Sequence, residues 1–140
     1  MTTPHPPVTD HQEHPVSDLS ALDPARIYRY APDLLAEAHE LLTLSSRFLA
    51  QTLAGEQNDP EALHSYLLRR AAQADRVAAG ALFGAAASRA QAEESFRLLA
   101  DHDRAHPWLV PAGLTTPAAG APHEELRAYV RESYDVAPWT

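Results

Sequence analysis

Two rows of apolar residues, each repeating at every seventh position, predict a helix from about Pro32 to Leu53. The first row is formed by Leu34, Leu41 and Phe48, and the second by Leu35, Leu42 and Leu49. Positions seven apart lie on the same side of a helix, so the two rows merge into one wide apolar face. Such a face is typical of a helix that packs against two neighbours.

Proline marks the predicted starts of four helices. The four pairs that carry it are Asp23-Pro24, Ala31-Pro32, Asp59-Pro60 and Ala121-Pro122. The fixed φ of proline suits the first helical position, where its missing N–H costs nothing. Asp33, Glu61 and Glu124 follow three of these prolines and place negative charge at the positive end of the helix dipole.

The stretch from Asp59 to His106 has helical propensity throughout, but a single helix of that length would extend about 70 Å. Gly80 and Gly84 lie in its middle, and residues 88–91 (Ser-Arg-Ala-Gln) can form a capping box for a new start. We therefore expect a bend or hairpin near residues 79–88. The expected inner faces are Leu63, Leu67, Ala71, Ala74 and Ala78 on the first arm, and Ala92, Phe96 and Leu99 on the second.

Pro107 is expected to end the second arm, and residues 107–121 are interpreted as a crossing loop. A short helix, about Pro122 to Tyr134, follows with Leu126, Tyr129, Val130 and Tyr134 on one side. No strand-like alternation of β-branched residues occurs. Together these patterns predict an all-α fold, a small bundle of about four to five helices with an irregular C-terminal section.

The first twenty residues are expected to be a disordered tail. They contain four prolines, three histidines and almost nothing that a core could bury. We therefore predict a tail at 1–20 and a single helical-bundle domain at 21–140.

Composition excludes several classes of function. The chain has no cysteine, which removes disulfides, thiolate metal sites and cysteine nucleophiles. Its net charge of −8 argues against a general nucleic-acid binder, because phosphate contacts need a basic field. The start of the chain lacks the basic and apolar segments of a signal peptide, so we expect a cytoplasmic protein. All 11 basic residues are arginine, a bias typical of a high-GC bacterial genome.

His102 and His106 form the first candidate site, a metal site with Asp103. Histidines four apart on a helix point the same way and can share one ion. Further ligands would have to come from other helices, where His39, Glu40 and His64 are candidates. The alternative interpretation is the last turn of a helix, where histidine bonds free carbonyls and is favoured by the dipole.

Two further groups of residues are candidate binding sites. Arg69, Arg70 and Arg76, near Tyr66, form a locally basic helix face that could contact an anion or a phosphate backbone. The alternative is a solvated face whose arginines pair with Asp75 and Glu93. The predicted partner-binding aromatics are Trp108, Tyr134 and Trp139. Each tryptophan could instead clamp its own segment onto the bundle.

The sequence contains no phosphate-binding glycine loop, Gly-x-Ser-x-Gly elbow or His-Glu-x-x-His helix. The leading interpretation is therefore a small acidic protein–protein interaction or regulatory/assembly module without catalysis or cofactor. Its partner would be another protein or a second copy in a homodimer. The alternatives are a metal-binding bundle enzyme or carrier that uses His102 and His106, and a nucleic-acid-associated regulator that uses the three arginines.

Overall fold

The structure is a computed structural model that describes residues 22–80 and 85–138. Its five α-helices are α1 (Pro24–Ile27), α2 (Leu34–Leu53), α3 (Pro60–Gly80), α4 (Ala85–Ala105) and α5 (His123–Val136). The loop between α4 and α5 contains one 3₁₀ turn, Pro107–Leu109. These ranges contain no strand, which confirms the predicted all-α bundle. The predicted tail, residues 1–20, lies outside them.

A helix begins at or within two residues of each marked proline: Pro24 and Pro60 are first helical residues, whereas Pro122 is the N-cap of α5. Aspartate caps the other three starts. The Asp23 carboxylate accepts from the N–H of Ala25, and the Asp59 carboxylate accepts from the N–H of Ala62 at 3.1 Å. At α2 the cap is Asp33, whose carboxylate accepts from the two N–H groups of Leu35 and Ala36. Pro32 was expected to be the first helical residue of α2, but this cap moves the start past it.

The predicted reversal of the chain is confirmed, because α3 ends at Gly80 and α4 begins at Ala85. The two helices are antiparallel: the Nε2 atom of His102, near the end of α4, lies 2.9 Å from the carbonyl oxygen of Pro60, the first residue of α3. The capping box at Ser88 does not start the helix. Ala85–Ala87 are already helical, as alanine favours. Gly84 lies outside the described residues.

Helix α3 is the centre of the bundle and packs against α2, α4 and α5. Alanines line its contact with α4, and small side chains let helix axes approach closely. The most deeply buried core residues are Leu68, Ala71, Ala72, Ala92, Phe96, Leu99, Ala100, Leu126, Tyr129 and Val130. This list includes Leu126, Tyr129 and Val130, so the predicted inner face of α5 is confirmed.

Helix α2 departs from the prediction, because it packs mainly against α3 rather than between two neighbours. Leu41 is buried, and the ring of Phe48 contacts that of Tyr66 with centroids 5.4 Å apart. The second row of leucines faces solvent: Leu35 and Leu42 are 81% and 68% exposed. The alanine-rich core is closed by α5 on one side of the α3–α4 hairpin, and none of the described helices covers the far side of α2.

We expect leucines of the core and of α2 to differ sharply in their effect on stability. Leu99→Ala should lower the free energy of unfolding by about 2–5 kcal/mol, because it leaves a cavity at a fully buried position. The control, Leu35→Ala, should change it by less than about 0.5 kcal/mol. Urea denaturation in dilute solution, followed by circular dichroism, measures both. Equal losses would show that Leu35 packs within the monomer, contrary to the fold described here.

Candidate functional site

The largest exposed apolar feature of α2 is a row of leucines that we call the leucine stripe: Leu35, Leu42, Leu49 and Leu53. They are 81%, 68%, 59% and 79% exposed, respectively. Eighteen residues separate its ends, so the stripe is about 27 Å long. Contiguous apolar surface of several hundred Å² is uncommon on a monomer and marks interaction sites.

Charged side chains of α2 lie away from the stripe. Glu37 is buried on the side of α3, where its carboxylate receives two hydrogen bonds from the guanidinium of Arg69, at 2.6 and 3.0 Å. Glu40 and Arg47 are exposed on the side of the helix opposite the stripe. The stripe is flanked instead by small or uncharged residues: Ala38, His39, Ser45, Ser46, Ala50 and Thr52.

A groove of about 350 Å³ continues the apolar surface of α2 onto α3 and α4. Leu41 of α2, Ala74 and Val77 of α3 and Ser95 of α4 contribute to its lining. Gln73, also in the lining, donates from Nε2 to the carbonyl oxygen of Leu34 at 2.8 Å. Its Oε1 atom is buried and has no donor among the described residues. Arg70, Gln91 and Glu94 also line the groove, so its walls are partly apolar and partly polar.

The predicted partner-binding aromatics differ in their surroundings. Trp108 is 70% exposed and meets the ring of His106 edge-on at 5.1 Å, so its indole does not clamp the loop onto the core. Tyr134 is only 8% exposed and packs at 5.0 Å against the ring of Tyr28, which places it inside the bundle rather than on a partner surface. Trp139 lies outside the described residues.

The three arginines predicted to contact anions divide between two sides of α3: Arg69 and Arg76 are seven positions apart on one side, and Arg70 is turned about 100° from Arg69. Arg69 is paired with Glu37, and it lines a pocket of about 470 Å³ with Tyr134 and Ser65. Arg70 lines the groove between α2, α3 and α4. Arg76 is half-buried. The predicted pairing of this face with Asp75 is wrong, because Asp75 is buried on the other side of α3.

The three residues predicted to hold a metal are not brought together. The rings of His102 and His106 are 4.3 Å apart, but each presents one nitrogen to a carbonyl: Nε2 of His102 to Pro60, and Nδ1 of His106 to His102 at 2.7 Å. The Asp103 carboxylate is fully buried and turns inward. Across the described residues, no three His, Asp or Glu side chains are placed to share an ion. His106 finishes α4 by bonding a free carbonyl, as the alternative interpretation predicts.

A buried carboxylate that sequence reasoning missed ties three helices together at Asp75 of α3. Tyr28, directly after α1, donates its hydroxyl to Asp75 Oδ2 at 2.6 Å. Arg131 of α5 donates from Nε and Nη2 to the two carboxylate oxygens at 2.8 and 3.0 Å. Burial, and next the Asp75 charge, raise the pKa of Tyr28 far above its usual value, so the hydroxyl keeps the proton that it donates.

A second buried carboxylate, Asp103 of α4, joins α3, α4 and α5 at the other end of the bundle. His64 Nδ1 of α3 lies 2.6 Å from Asp103 Oδ1, and Tyr129 of α5 donates its hydroxyl to Oδ2 at 2.5 Å. Burial, and next the hydrogen bond to Asp103, raise the pKa of Tyr129 well above its usual value. The Asp103 carboxylate is enclosed by its donors and has no exposed surface, which favours a structural role.

Spacing along the helices is the signal that could have revealed both carboxylates. Asp75 lies four residues after Ala71 and eight after Leu67, and Asp103 lies four after Leu99. Both therefore fall on faces that were correctly predicted to be apolar. A lone carboxylate on an inner helix face predicts a buried donor partner, because an unpaired charge is too costly to bury.

Comparison with known proteins gives no match: no family model, no curated protein and no solved structure is similar to this chain. No helix of the described ranges combines the length and apolar character needed to cross a bilayer.

Replacing both histidines at the end of α4 should have a modest effect. His102→Gln with His106→Gln should lower the free energy of unfolding by about 1–2 kcal/mol, because two ordinary hydrogen bonds to carbonyls are lost. A metal chelator should leave the melting temperature of the native chain unchanged. Purified protein carrying close to one zinc, iron or manganese ion per chain, lost in the double variant, would instead make these histidines ligands.

We expect the bundle to lose stability in alkaline solution. Folding raises the pKa of Tyr28 and Tyr129 above the ordinary 10.0, so their contribution is complete below that pH. It is lost as the pH rises further, because the unfolded chain releases these protons and the folded chain does not. The urea midpoint should therefore fall steadily above about pH 10.

Phenylalanine variants provide the control for this alkaline loss. Tyr28→Phe and Tyr129→Phe should each lower stability at neutral pH by about 1–3 kcal/mol, because a buried carboxylate loses a donor. The same variants should lose less with rising pH, since phenylalanine has no proton to release. A native urea midpoint that stays flat to about pH 12 would contradict the buried, protonated state of both hydroxyls.

Proposed function

We propose that this chain is a small helical protein–protein interaction module without catalysis, and that the leucine stripe of α2 is its binding surface. The observation that carries this proposal is the exposure of four leucines in one uncharged row on a regular helix. Burying each such side chain in a partner removes apolar surface from water and stabilises a complex by about 1.5–3 kcal/mol per residue when burial is complete.

The attachment of α2 to the bundle supports this role, because the helix presents the stripe as a fixed rather than a loose element. Glu37 and Arg69 join α2 to α3 through a two-bond ion pair, and Gln73 binds the Leu34 carbonyl oxygen. Phe48 and Tyr66 are in ring contact further along α2. A rigid helix loses little conformational entropy when a partner binds, which favours affinity.

The groove beside α2 offers further apolar surface close to the stripe. Val77 is 44% exposed and lies in the groove lining with Leu41 and Ala74, so a partner that covers the stripe could also contact α3.

Photo-cross-linking tests this proposal at single positions of α2. A photoreactive residue at position 42, in the stripe, should form covalent adducts with a protein partner in cells that make the chain at its native level. The control at position 40, two residues away, points to the opposite side of the same helix, about 200° round. It should form few adducts. Equal yields at both positions, or none at either, would contradict the proposal.

A further inference from the structure

We infer that the partner of the leucine stripe is a second copy of this chain, with the two α2 helices packed antiparallel about a two-fold axis. This inference rests on the proposed function, because it names the occupant of the same surface. Four observations favour this occupant: the parts of the chain left to cover the stripe, the heptad pattern, the charge, and the area.

The segments outside the described residues are poorly suited to cover the stripe. Residues 1–21 contain only four apolar side chains larger than alanine, at irregular spacing: Met1, Val8, Val16 and Leu19. Residues 81–84 reach at most about 14 Å when extended, half the length of the stripe. Neither segment carries a row of apolar side chains that matches the stripe, which favours a second polypeptide as its partner.

The exposed side of α2 follows the heptad pattern of a coiled coil. Leucine occupies one core position of each heptad, at residues 35, 42 and 49, and small residues occupy the other, at Ala38, Ser45 and Thr52. All six positions are exposed in the single chain. The pattern thus describes a second packing seam, separate from the buried one that carries Leu41 and Phe48.

Alternation of large and small residues favours the antiparallel orientation. In a parallel pair each core position faces its own equivalent, so layers of paired leucines would alternate with layers of paired small residues that leave gaps. In an antiparallel pair Leu42 faces Ser45 of the second copy, and Leu49 faces Ala38 of the second copy. Each leucine then fills the space above a small residue, which gives even packing along the seam. The two helix dipoles also oppose each other.

Charge and area are both consistent with self-pairing. On α2 the exposed Glu40 and Arg47 occupy the outermost heptad position, so like charges are not forced together at the seam. If a pair buried the four exposed leucines and their small neighbours completely, on the order of 1,200 Å² would be removed from water, which is the lower limit of specific interfaces. We therefore expect a weak, reversible dimer.

Sedimentation equilibrium of the full chain tests this directly. The mass should rise with concentration from 15.3 kDa towards twice that value. Leu42→Gln with Leu49→Gln should weaken association at least tenfold, because glutamine keeps the helix propensity of leucine but not its apolar surface. The matched control, Glu40→Gln with Arg47→Gln, makes the same number of replacements on the far side of α2 without changing net charge. It should dimerise like the native chain.

Two further measurements serve as controls for the comparison between the two double variants. Circular dichroism and dilute melting temperature should be the same for both double variants, which shows that neither effect comes from unfolding. Raised salt should strengthen the native dimer, because it screens repulsion between two chains of charge −8. Weakening by salt would show that ion pairs, rather than the uncharged stripe, hold the two copies together.

Cysteine pairing tests the orientation, since the chain has no cysteine of its own. A Leu49→Cys chain mixed with an Ala38→Cys chain should form a mixed disulfide under mild oxidation. The Leu49→Cys chain alone should not, because the two residues 49 lie about 16 Å apart along an antiparallel pair. Efficient linkage of Leu49→Cys to itself would overturn the antiparallel arrangement.

The outcomes for the two proposals are separable. A chain that stays at 15.3 kDa at every concentration overturns self-pairing. If position 42 then cross-links to a different protein, the leucine stripe is still a binding surface, and only the inference that its partner is a second copy is wrong. If the chain is monomeric and position 42 forms no adduct, both proposals fail.

Discussion

The rest of this bundle depends on one constraint: each of two buried carboxylates must keep its own hydrogen-bond donors. An alanine-rich core packs helices closely but specifies their relative positions poorly, because small side chains fit together in many ways. Asp75 and Asp103 remove that freedom. A carboxylate that lost its donors would stay buried without a partner, which would lower the free energy of unfolding by several kcal/mol. The observed arrangement satisfies Asp75 by bringing Tyr28, directly after α1, and Arg131 of α5 to the same point on α3.

The same pairing explains why α2 differs from the other helices. Residues of α1, α3, α4 and α5 meet at the two carboxylates, whereas α2 is joined to α3 by the separate ion pair of Glu37 with Arg69. The core is complete without the outer side of α2, and the leucines there have no place in it. Their exposure follows from the geometry of the polar contacts rather than from any weakness of the helix, which has a capped start and a regular course.

Local signals in the sequence predicted the helices well, but they could not predict which distant residues pair with each other. Proline and aspartate at helix starts act within a few residues, so the starts of α1, α2 and α3 could be predicted closely. The apolar face of α5 was equally local. By contrast, Asp75 and Arg131 are 56 residues apart, and nothing in either neighbourhood selects the other. For α2 the periodicity correctly indicated two apolar rows, but one helix pattern cannot distinguish a second neighbour in the same chain from a partner outside it.

The geometry of a single straight stripe also bears on what kind of assembly it can support. A surface that is complementary to itself about a two-fold axis is used up when two copies meet, so pairing closes at the dimer and does not propagate. The charge of −8 on each chain acts in the same direction, because it opposes unspecific contact through the rest of the surface. Exposed leucines on such a protein need not lead to aggregation. The ion pair of Glu37 with Arg69 keeps α2 in place. In the proposed dimer, the acidic charge of the rest of the surface would direct contact to the uncharged stripe.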